Sequence, residues 1–390
     1  MTQQSYASRL LVRVVHTGGM HNLAAFAALA LIVGACSSSG TSSTPESQPS
    51  TSTTIIQEST VSIAETTSST STTPSSQPPT TQPPTETTAQ SPETFEYAVV
   101  AEEQSRRLSI IDFPRTECFN GTEPCELTPV LTIDLPARPH NLMSAGSMVY
   151  ATHPSTGSIS QINIATGETR TVALGTEPHD IKYASSSDTL FVADEAGSAL
   201  FTIDPATLQV IATLDLPASP HDLAVDGNVI WITLDGRSVL ARVEGTNVEL
   251  LATGGSPHDL IVDRSGQIWF SNRNSNLLNI LDPTEGTVVE APAGVTEPHH
   301  FAIRPDGVIW VSDNGGGVVV GFDGGTPVTV EVGPVPHHIG FVGDILVVAV
   351  SGAGEAVFVN DDRVVARSPL TQGLHGLAIV QLAEPLTVPG

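Results

Sequence analysis

The feature that most constrains the fold of this chain is a Pro-His dipeptide that recurs at a nearly constant interval. Six copies are complete and a seventh has lost the proline: Pro139-His140, Pro178-His179, Pro220-His221, Pro257-His258, Pro298-His299, Pro336-His337 and Leu374-His375. Successive histidines are 39, 42, 37, 41, 38 and 38 residues apart. A period near 40 without helical periodicity predicts four-stranded blades arranged around an axis.

Each repeat has the composition of four short strands. In one repeat an apolar run at 223–225 follows the histidine, a turn of Asp226 and Gly227 comes next, and a β-branched and aromatic run occupies 229–232. A third run closes on an acidic or amide residue, here Glu244, and a fourth leads into the next Pro-His. Runs of this kind, separated by Gly, Asp and Pro, are typical of strands.

The two ends of the repeat region predict the number of blades. Residues 95–135 hold three strand-like runs but no Pro-His, whereas residues 375–380 form a first strand with nothing after it. One blade is therefore expected to be shared between the termini, which would close the ring and remove open sheet edges. We predict an all-β, seven-bladed β-propeller over residues 95–390.

The first 35 residues are typical of an export signal. Arg9 and Arg13 precede an apolar run at 23–35, which is too short to span a bilayer. The run ends in Val33-Gly34-Ala35-Cys36, which resembles the cleavage and lipidation box of bacterial lipoproteins. We predict a signal peptide at 1–35 and a lipid on Cys36; an ordinary secretory signal with an incidental cysteine is the alternative.

Residues 36–94 form a predicted linker. Of the 58 residues after Cys36, 33 are Ser or Thr and 8 are Pro, so the segment lacks the apolar surface needed to fold. We therefore expect a disordered tether that holds the propeller on the bacterial cell surface, attached by lipid to the outer face of the cytoplasmic membrane. The lipid anchor would be the only membrane contact.

Cys118 and Cys125 are the two remaining cysteines. An even pair outside the cytosol favours a disulfide. The alternative, a metal site built on two cysteines, lacks further ligands nearby in the sequence.

The charge balance limits the classes of partner. The chain has 41 acidic and 15 basic residues, a formal charge of −26. This excess argues against nucleic acid and against anionic lipid surfaces as partners. It either keeps an exposed domain soluble or attracts cations or a basic partner. We expect a monomer.

The repeated histidines are the candidate functional residues. In a propeller they would form one ring at one end of the central channel: His140, His179, His221, His258, His299, His337 and His375. A second ring would follow one residue later: Asn141, Asp180, Asp222, Asp259, His300, His338 and Gly376. Imidazole is a common metal ligand and acid or base near neutral pH, but buried imidazoles that bond to neighbouring blades would also recur without any ligand.

A metal needs three or four ligands near one point, so one ion cannot be shared by all seven histidines. We expect a divalent metal, if one binds, where imidazoles are densest: His258, His299, His300, His337 and His338. Elsewhere each blade offers one histidine whose neighbour is expected to lie too far away. Because consecutive residues of a strand point to opposite sides, His299 and His300 could both face the axis only from a turn.

Two further columns run through the repeats. Second strands end on Glu102, His153, Asp194, Asn272 and Asp313, which are either strand-end and turn residues or contributors to the channel site. Trp231, Trp269 and Trp310 align with Tyr150 and Phe191, and we expect them to pack between blades rather than form a sugar-binding platform.

The repeats across residues 95–390 resemble YVTN-type and NHL-like propeller repeats. The resemblance rests on the pattern Gly-x-x-Pro-His-Asp-Leu, followed by Ile-Trp or Leu-Phe-Val, and then by Ile-Asp-Pro-x-Thr-x-x-Val. The stretch from Pro257 to Asn272 also resembles repeats of virginiamycin B lyases, which are seven-bladed, metal-dependent enzymes that open a cyclic peptide ester. Repeats of the first kind are common in surface proteins with no known reaction. The tether, the acidic surface and the absence of one unique catalytic constellation favour a lipid-anchored surface module that binds a protein or small molecule. The second resemblance implies, as the alternative, a metal-dependent lyase or hydrolase at the channel mouth, although no single histidine matches a catalytic base.

Overall fold

The computed structural model describes residues 94–387, except positions 115, 273, 274 and 293. The predicted signal peptide, Cys36 and the linker up to residue 93 lie outside the described residues. Within the described part of the chain, no helix is both long and apolar enough to cross a membrane.

The described residues form seven antiparallel sheets, which are the blades of a propeller. We number them from the blade shared by the termini and give the strands from the innermost outward. Blade 1 contains Leu374–Leu382, Phe95–Glu102, Arg107–Asp112 and Leu131–Asp134. Blade 2 contains Leu142–Ala145, Met148–His153, Ser158–Asn163 and Thr169–Ala173. Blade 3 contains Pro178–Ala184, Thr189–Asp194, Ala199–Ile203 and Val210–Asp215.

The remaining blades repeat this order. Blade 4 contains Pro220–Asp226, Val229–Leu234, Val239–Glu244 and Asn247–Ala252. Blade 5 contains Pro257–Val262, Ile268–Asn272, Leu277–Asp282 and Thr287–Glu290. Blade 6 contains Pro298–Ile303, Ile309–Asp313, Val318–Phe322 and Val328–Glu331. Blade 7 contains Pro336–Val342, Ile345–Val350, Glu355–Asn360 and Arg363–Pro369. A short 3₁₀ turn, Pro154–Thr156, follows the second strand of blade 2.

The ring closes through blade 1, as the sequence predicts. The strand Leu374–Leu382 pairs antiparallel with Phe95–Glu102, with Tyr97 opposite Val380. The C-terminal strand is therefore the innermost strand of the blade that begins the chain. The predicted fold, a seven-bladed propeller with one composite blade, is confirmed.

The aromatic column packs between neighbouring blades. Trp231 of blade 4 is buried against Leu260 and Phe270 of blade 5. Trp310 of blade 6 is buried against Ile339 and Val348 of blade 7. Since these rings are shielded from solvent, they stabilise blade contacts and offer no platform for a sugar.

The segment around the two cysteines lies between the third and fourth strands of blade 1 and also contacts blade 7. A short helix, Thr116–Asn120, interrupts the all-β structure, and the strand Cys125–Glu126 adds in parallel to the outer edge of blade 7. Cys118 and Cys125 are joined in a disulfide. Arg363 of blade 7 donates to the carbonyl oxygens of Phe119 and Gly121, so this segment joins blades 1 and 7 from outside the ring.

Candidate functional site

The seven repeated histidines form a closed ring of imidazoles at one end of the channel. The centroids of neighbouring rings are 3.6–5.1 Å apart around the whole circle, from His140 against His179 to His375 against His140. The expectation that neighbours outside the His-His sector lie too far apart is therefore wrong. Each imidazole contacts the next one.

The size of this ring limits how it could bind an ion. A heptagon with these sides has a radius of about 5 Å, and a ring nitrogen lies about 1 Å from its centroid, whereas a metal–nitrogen bond is about 2 Å long. One ion on the axis therefore cannot bind all seven imidazoles. Any ion must lie off the axis, between a few neighbours.

An extra residue in the first strand of six of the seven blades explains why consecutive side chains both reach the channel. In blade 6, Pro298 lies opposite Asp313 but Phe301 lies opposite Val311, so three steps on one strand match two on the other. The same shift occurs in blades 1, 3, 4, 5 and 7. Such a bulge redirects side chains, and both His299 and His300 line the mouth.

Hydroxyl groups on the second strands hold the backbone of the second ring in place. Four second-ring backbone N–H groups donate to such hydroxyls at 2.9–3.1 Å: Asn141 to Thr152, Asp222 to Thr233, Asp259 to Ser271 and His300 to Ser312. Thr152 and Ser312 also donate to the backbone carbonyls of His179 and His337 in the next blades, at 2.7 and 2.6 Å. The sequence analysis missed these residues, although their signal is visible one position before the strand-end column.

The second ring links neighbouring blades. Asp180 accepts from the backbone N–H of Leu223 at 2.9 Å, and Asp222 accepts from that of Leu260 at the same distance. Asn141 donates to Asp180 at 2.9 Å. In blade 1 the position is Gly376, whose N–H donates to the carbonyl of His140 at 2.8 Å and whose Cβ, if present, would collide with that oxygen. These residues therefore have a structural role at the blade seams.

The only lysine of the chain lies in this polar layer. Lys182 donates to Asp180 at 2.7 Å and to Asp222 at 3.3 Å. Burial lowers the pKa of Lys182, but the two carboxylates outweigh that effect and raise it above its ordinary value. Burial raises the pKa of Asp222 well above its usual range. The sequence analysis assigned this lysine no role.

Asp259 is the carboxylate that contacts the first ring. It lies 2.9 Å from Nδ1 of His258 and 3.0 Å from Nδ1 of His299. Burial raises the pKa of Asp259, but the two imidazoles outweigh that effect and hold it well below its usual range. Asp259 therefore stays ionised and is paired with both imidazoles.

Five imidazoles of the mouth have a lowered pKa and are therefore neutral near pH 7. Burial lowers the pKa of His179 and of His300 to about 4. Burial, together with neighbouring imidazoles, also holds the pKa values of His337, His338 and His375 well below 6.5. Neutral imidazole is the form that binds metals.

The mouth encloses a cavity of about 190 Å³, lined by all seven first-ring histidines together with His300, His338, Asp259, Asp222 and Asn141. His300 and His338 also line a second cavity, of about 310 Å³, with Lys182 and apolar walls that include Leu260 and Phe301. The two second-ring histidines thus lie between the cavities.

Three groups of donors within the described residues have ligand atoms within 4.8 Å of one another, as a metal site requires: His337 with His338 and His375, His179 with Glu195 and His221, and His221 with His258 and Asp259. Of the five predicted residues, His337 and His338 share one group and His258 belongs to another. His299 and His300 belong to none. Five members of the groups were not among the predicted metal ligands: His179, Glu195, His221, Asp259 and His375.

The strand-end column anchors the loops that lead into Pro-His rather than joining the mouth. Asp194 accepts from the N–H groups of Thr176 and Glu177, and Asp313 accepts from those of Thr296 and Glu297. Asn272 accepts from the backbone N–H of Ser256 in the same way, whereas His153 donates from Nδ1 to the backbone carbonyl of Arg138. Buried Glu102 accepts from Arg107, Ser109 and the backbone N–H of Thr371. This column is structural.

Comparison with known proteins supports the fold alone. No protein-family model matches the chain, and no curated protein matches its sequence. A functionally unknown protein from Desulfotomaculum acetoxidans is 14% identical with a TM-score of 0.59, covering 73% of this chain and 98% of its own. A streptogramin B lyase is 16% identical with a TM-score of 0.56, covering 62% and 86%. A catalytically inactive virginiamycin B lyase from Staphylococcus aureus with quinupristin is 15% identical with a TM-score of 0.53, covering 66% and 92%.

Replacing Lys182 by Met should destabilise the propeller. The change leaves Asp180 and Asp222 buried side by side without their cation, which should cost about 2–4 kcal/mol of unfolding free energy. Chemical denaturation followed by circular dichroism measures the change. The double variant Lys182→Met with Asp180→Asn should recover part of the loss because one carboxylate is gone. A single variant as stable as the wild type would contradict the role assigned to Lys182.

Proposed function

We propose that this protein is an extracytoplasmic binding module, tethered to the cell surface by a lipid, whose ligand site is the histidine mouth and whose ligand is a divalent transition-metal ion. Imidazole suits zinc, copper, iron and nickel, whereas magnesium and calcium prefer oxygen ligands. A mouth lined chiefly by imidazoles therefore favours the first class of ion.

The observation that carries this proposal is a set of ring nitrogens without partners. Nε2 of His258, Nδ1 of His337 and Nδ1 of His375 are shielded from solvent, and each lacks a hydrogen-bond partner in the described part of the chain. Burying a polar atom without a partner costs free energy, so each such atom calls for an explanation. A bound metal ion would satisfy a lone pair on such a nitrogen.

The surface location rests on the N-terminal sequence. The apolar run, the Val33-Gly34-Ala35-Cys36 box and the Ser/Thr-rich linker all favour export and lipidation. The disulfide between Cys118 and Cys125 supports an oxidising compartment, where such bonds persist. The net charge of −26 would also concentrate cations near the domain at low salt.

A second candidate function is that of a metal-dependent lyase acting on a cyclic peptide ester. The similarity to the streptogramin B and virginiamycin B lyase structures favours it. The chain also has a candidate base, since Asp259 lies against Nδ1 of His258 and of His299 and would orient either imidazole. Because both lyase structures are less than 25% identical to this chain in sequence, lyase activity ranks below metal binding as a candidate function.

The metal proposal predicts saturable binding by the mature chain. Protein purified without an affinity tag should bind Zn²⁺ after treatment with a chelator, as measured by equilibrium dialysis and elemental analysis. Binding should disappear when the imidazoles are carbethoxylated, because the lone pairs are then blocked. Protein that binds no Zn²⁺, Cu²⁺ or Ni²⁺ above the level of a histidine-free propeller would refute the proposal.

The anchor proposal predicts that Cys36→Ser releases the protein from the membrane fraction. Without Cys36 no acyl chain can be attached, and acylation is the proposed contact with lipid. Fractionation of cells followed by immunodetection measures the distribution. The Cys118→Ser and Cys125→Ser double variant is the matched control, because it removes cysteines but keeps the anchor. Retention of Cys36→Ser on membranes in high salt would show another means of attachment.

The lyase alternative predicts turnover of quinupristin in the presence of a divalent metal. Elimination would open the ester ring with no change of mass, whereas hydrolysis would add one water, so mass spectrometry distinguishes the two reactions. His258→Ala and His299→Ala should each reduce turnover, while His153→Gln should not. Quinupristin that stays intact with metal-loaded protein would remove this candidate and leave the binding function.

A further inference from the structure

We infer that the metal ion is held by His337, His338 and His375, at the seam where blade 7 meets blade 1. This inference rests on the proposed function and names the site within the mouth. It differs from the five-histidine set that the sequence predicts, because it takes the ring histidine of the composite blade and leaves out His258, His299 and His300.

The geometry brings one nitrogen of each of these three side chains within 4.8 Å of the others. The ring centroids of His337 and His375 are 4.2 Å apart, and those of His338 and His375 are 4.9 Å apart. In a tetrahedral zinc site neighbouring nitrogens are about 3.3 Å apart, given bonds of about 2.0 Å. The rings of His337 and His338 are nearly parallel, at 13°, with centroids 5.2 Å apart, so the three rings would have to rotate for the nitrogens to reach this spacing.

Gly376 distinguishes this seam from most of the others. In most blades the second-ring residue has a side chain in the following blade to pack against, as Asn141 has Asp180. The residue that follows His338 around the ring is Gly376, which offers no side chain. Its close contact with the carbonyl of His140 also fixes the neighbouring His375 at the edge of the mouth. The imidazole of His338 thus contacts first-ring rings on its own blade and on the next.

Two nitrogens of this group are buried without a hydrogen-bond partner in the part of the chain that the structure describes. Nδ1 of His337 and Nδ1 of His375 are shielded from solvent and lack hydrogen-bond partners among the described residues. No carboxylate belongs to the group, so an ion would displace no existing ion pair. Three neutral imidazoles would leave one coordination position open for water or for an anionic group of a partner.

The two competing groups are less suited to an ion. Both contain His221, so they cannot be filled at the same time by separate ions. In the group with Asp259, the carboxylate is already paired with His258 and His299. In the group with Glu195, the carboxylate lies 3.8 Å from Nε2 of His179. Binding there would disrupt or share these contacts.

A seam site also predicts an effect on stability. His337 and His338 belong to blade 7, whereas His375 belongs to the C-terminal strand that closes blade 1. An ion that bridges them would bind the closed ring and not the open chain, so it should raise the melting temperature by several degrees at saturating concentration.

The test measures Zn²⁺ affinity and zinc-induced melting shift in the full mature chain and its variants. His338→Ala and His375→Ala should each weaken binding by about 100-fold and abolish the melting shift, because two imidazoles hold zinc poorly. His179→Ala and His258→Ala report on the competing groups, and His153→Gln is the matched control outside the mouth. The loss of Zn²⁺ affinity in His338→Ala and His375→Ala should exceed the loss in His179→Ala and His258→Ala by at least about tenfold.

An equal loss of Zn²⁺ affinity in all four alanine variants, or a larger loss in His179→Ala or His258→Ala, would overturn the assignment of the metal site to the seam. The proposed metal-binding function would still stand. A wild-type protein that binds no metal would instead refute the proposed function. If an alanine variant fails to melt cooperatively, X-ray absorption on the zinc-loaded wild type identifies the ligands instead. Three imidazole nitrogens at about 2.0 Å from the zinc are expected. A carboxylate ligand or fewer imidazoles would overturn the assignment.

Discussion

One extra residue in the first strand of six of the seven blades, at the repeated histidine, turns two consecutive side chains toward the channel. A regular strand would send the second of them into the space between blades, because successive side chains alternate. The bulge instead builds two stacked polar rings, one of imidazoles and one of mixed residues that bond to the next blade. The hydroxyls of Thr152, Thr233, Ser271 and Ser312 hold the backbone of the second ring, so the mouth depends on residues outside the channel.

Charge is divided unequally around the channel. The second ring carries Asp180, Asp222 and Asp259 in blades 3, 4 and 5, where Lys182 and two imidazoles pair with them. In blades 6, 7 and 1 the same positions are His300, His338 and Gly376, and no carboxylate is present. One side of the mouth is therefore closed by ion pairs, whereas the other presents neutral imidazoles. This asymmetry breaks the near-sevenfold symmetry of the repeats and separates a structural side from a side that can bind a ligand.

The fold by itself does not decide what the protein does. Structures of similar fold include lyases and a protein of unknown function, all at low sequence identity. Function has to be argued from the site, and the chemistry of this site is that of clustered, buried and neutral nitrogen ligands. Metal binding and metal-dependent lyase chemistry both use such ligands, and they differ in whether a cyclic ester substrate is turned over.

The blade count, the composite blade and the ring of histidines could be predicted from the sequence, because they depend on the repeat period and on strand composition. The packing role of Trp231 and Trp310 also followed from their mid-strand positions. Which imidazoles converge could not be predicted in this way. A strand pattern of period two does not reveal a bulge, and the approach of His338 to His375 joins strands from two different blades. Side chains from different blades converge because of how the blades pack together, and the spacing of residues along one strand does not predict that packing.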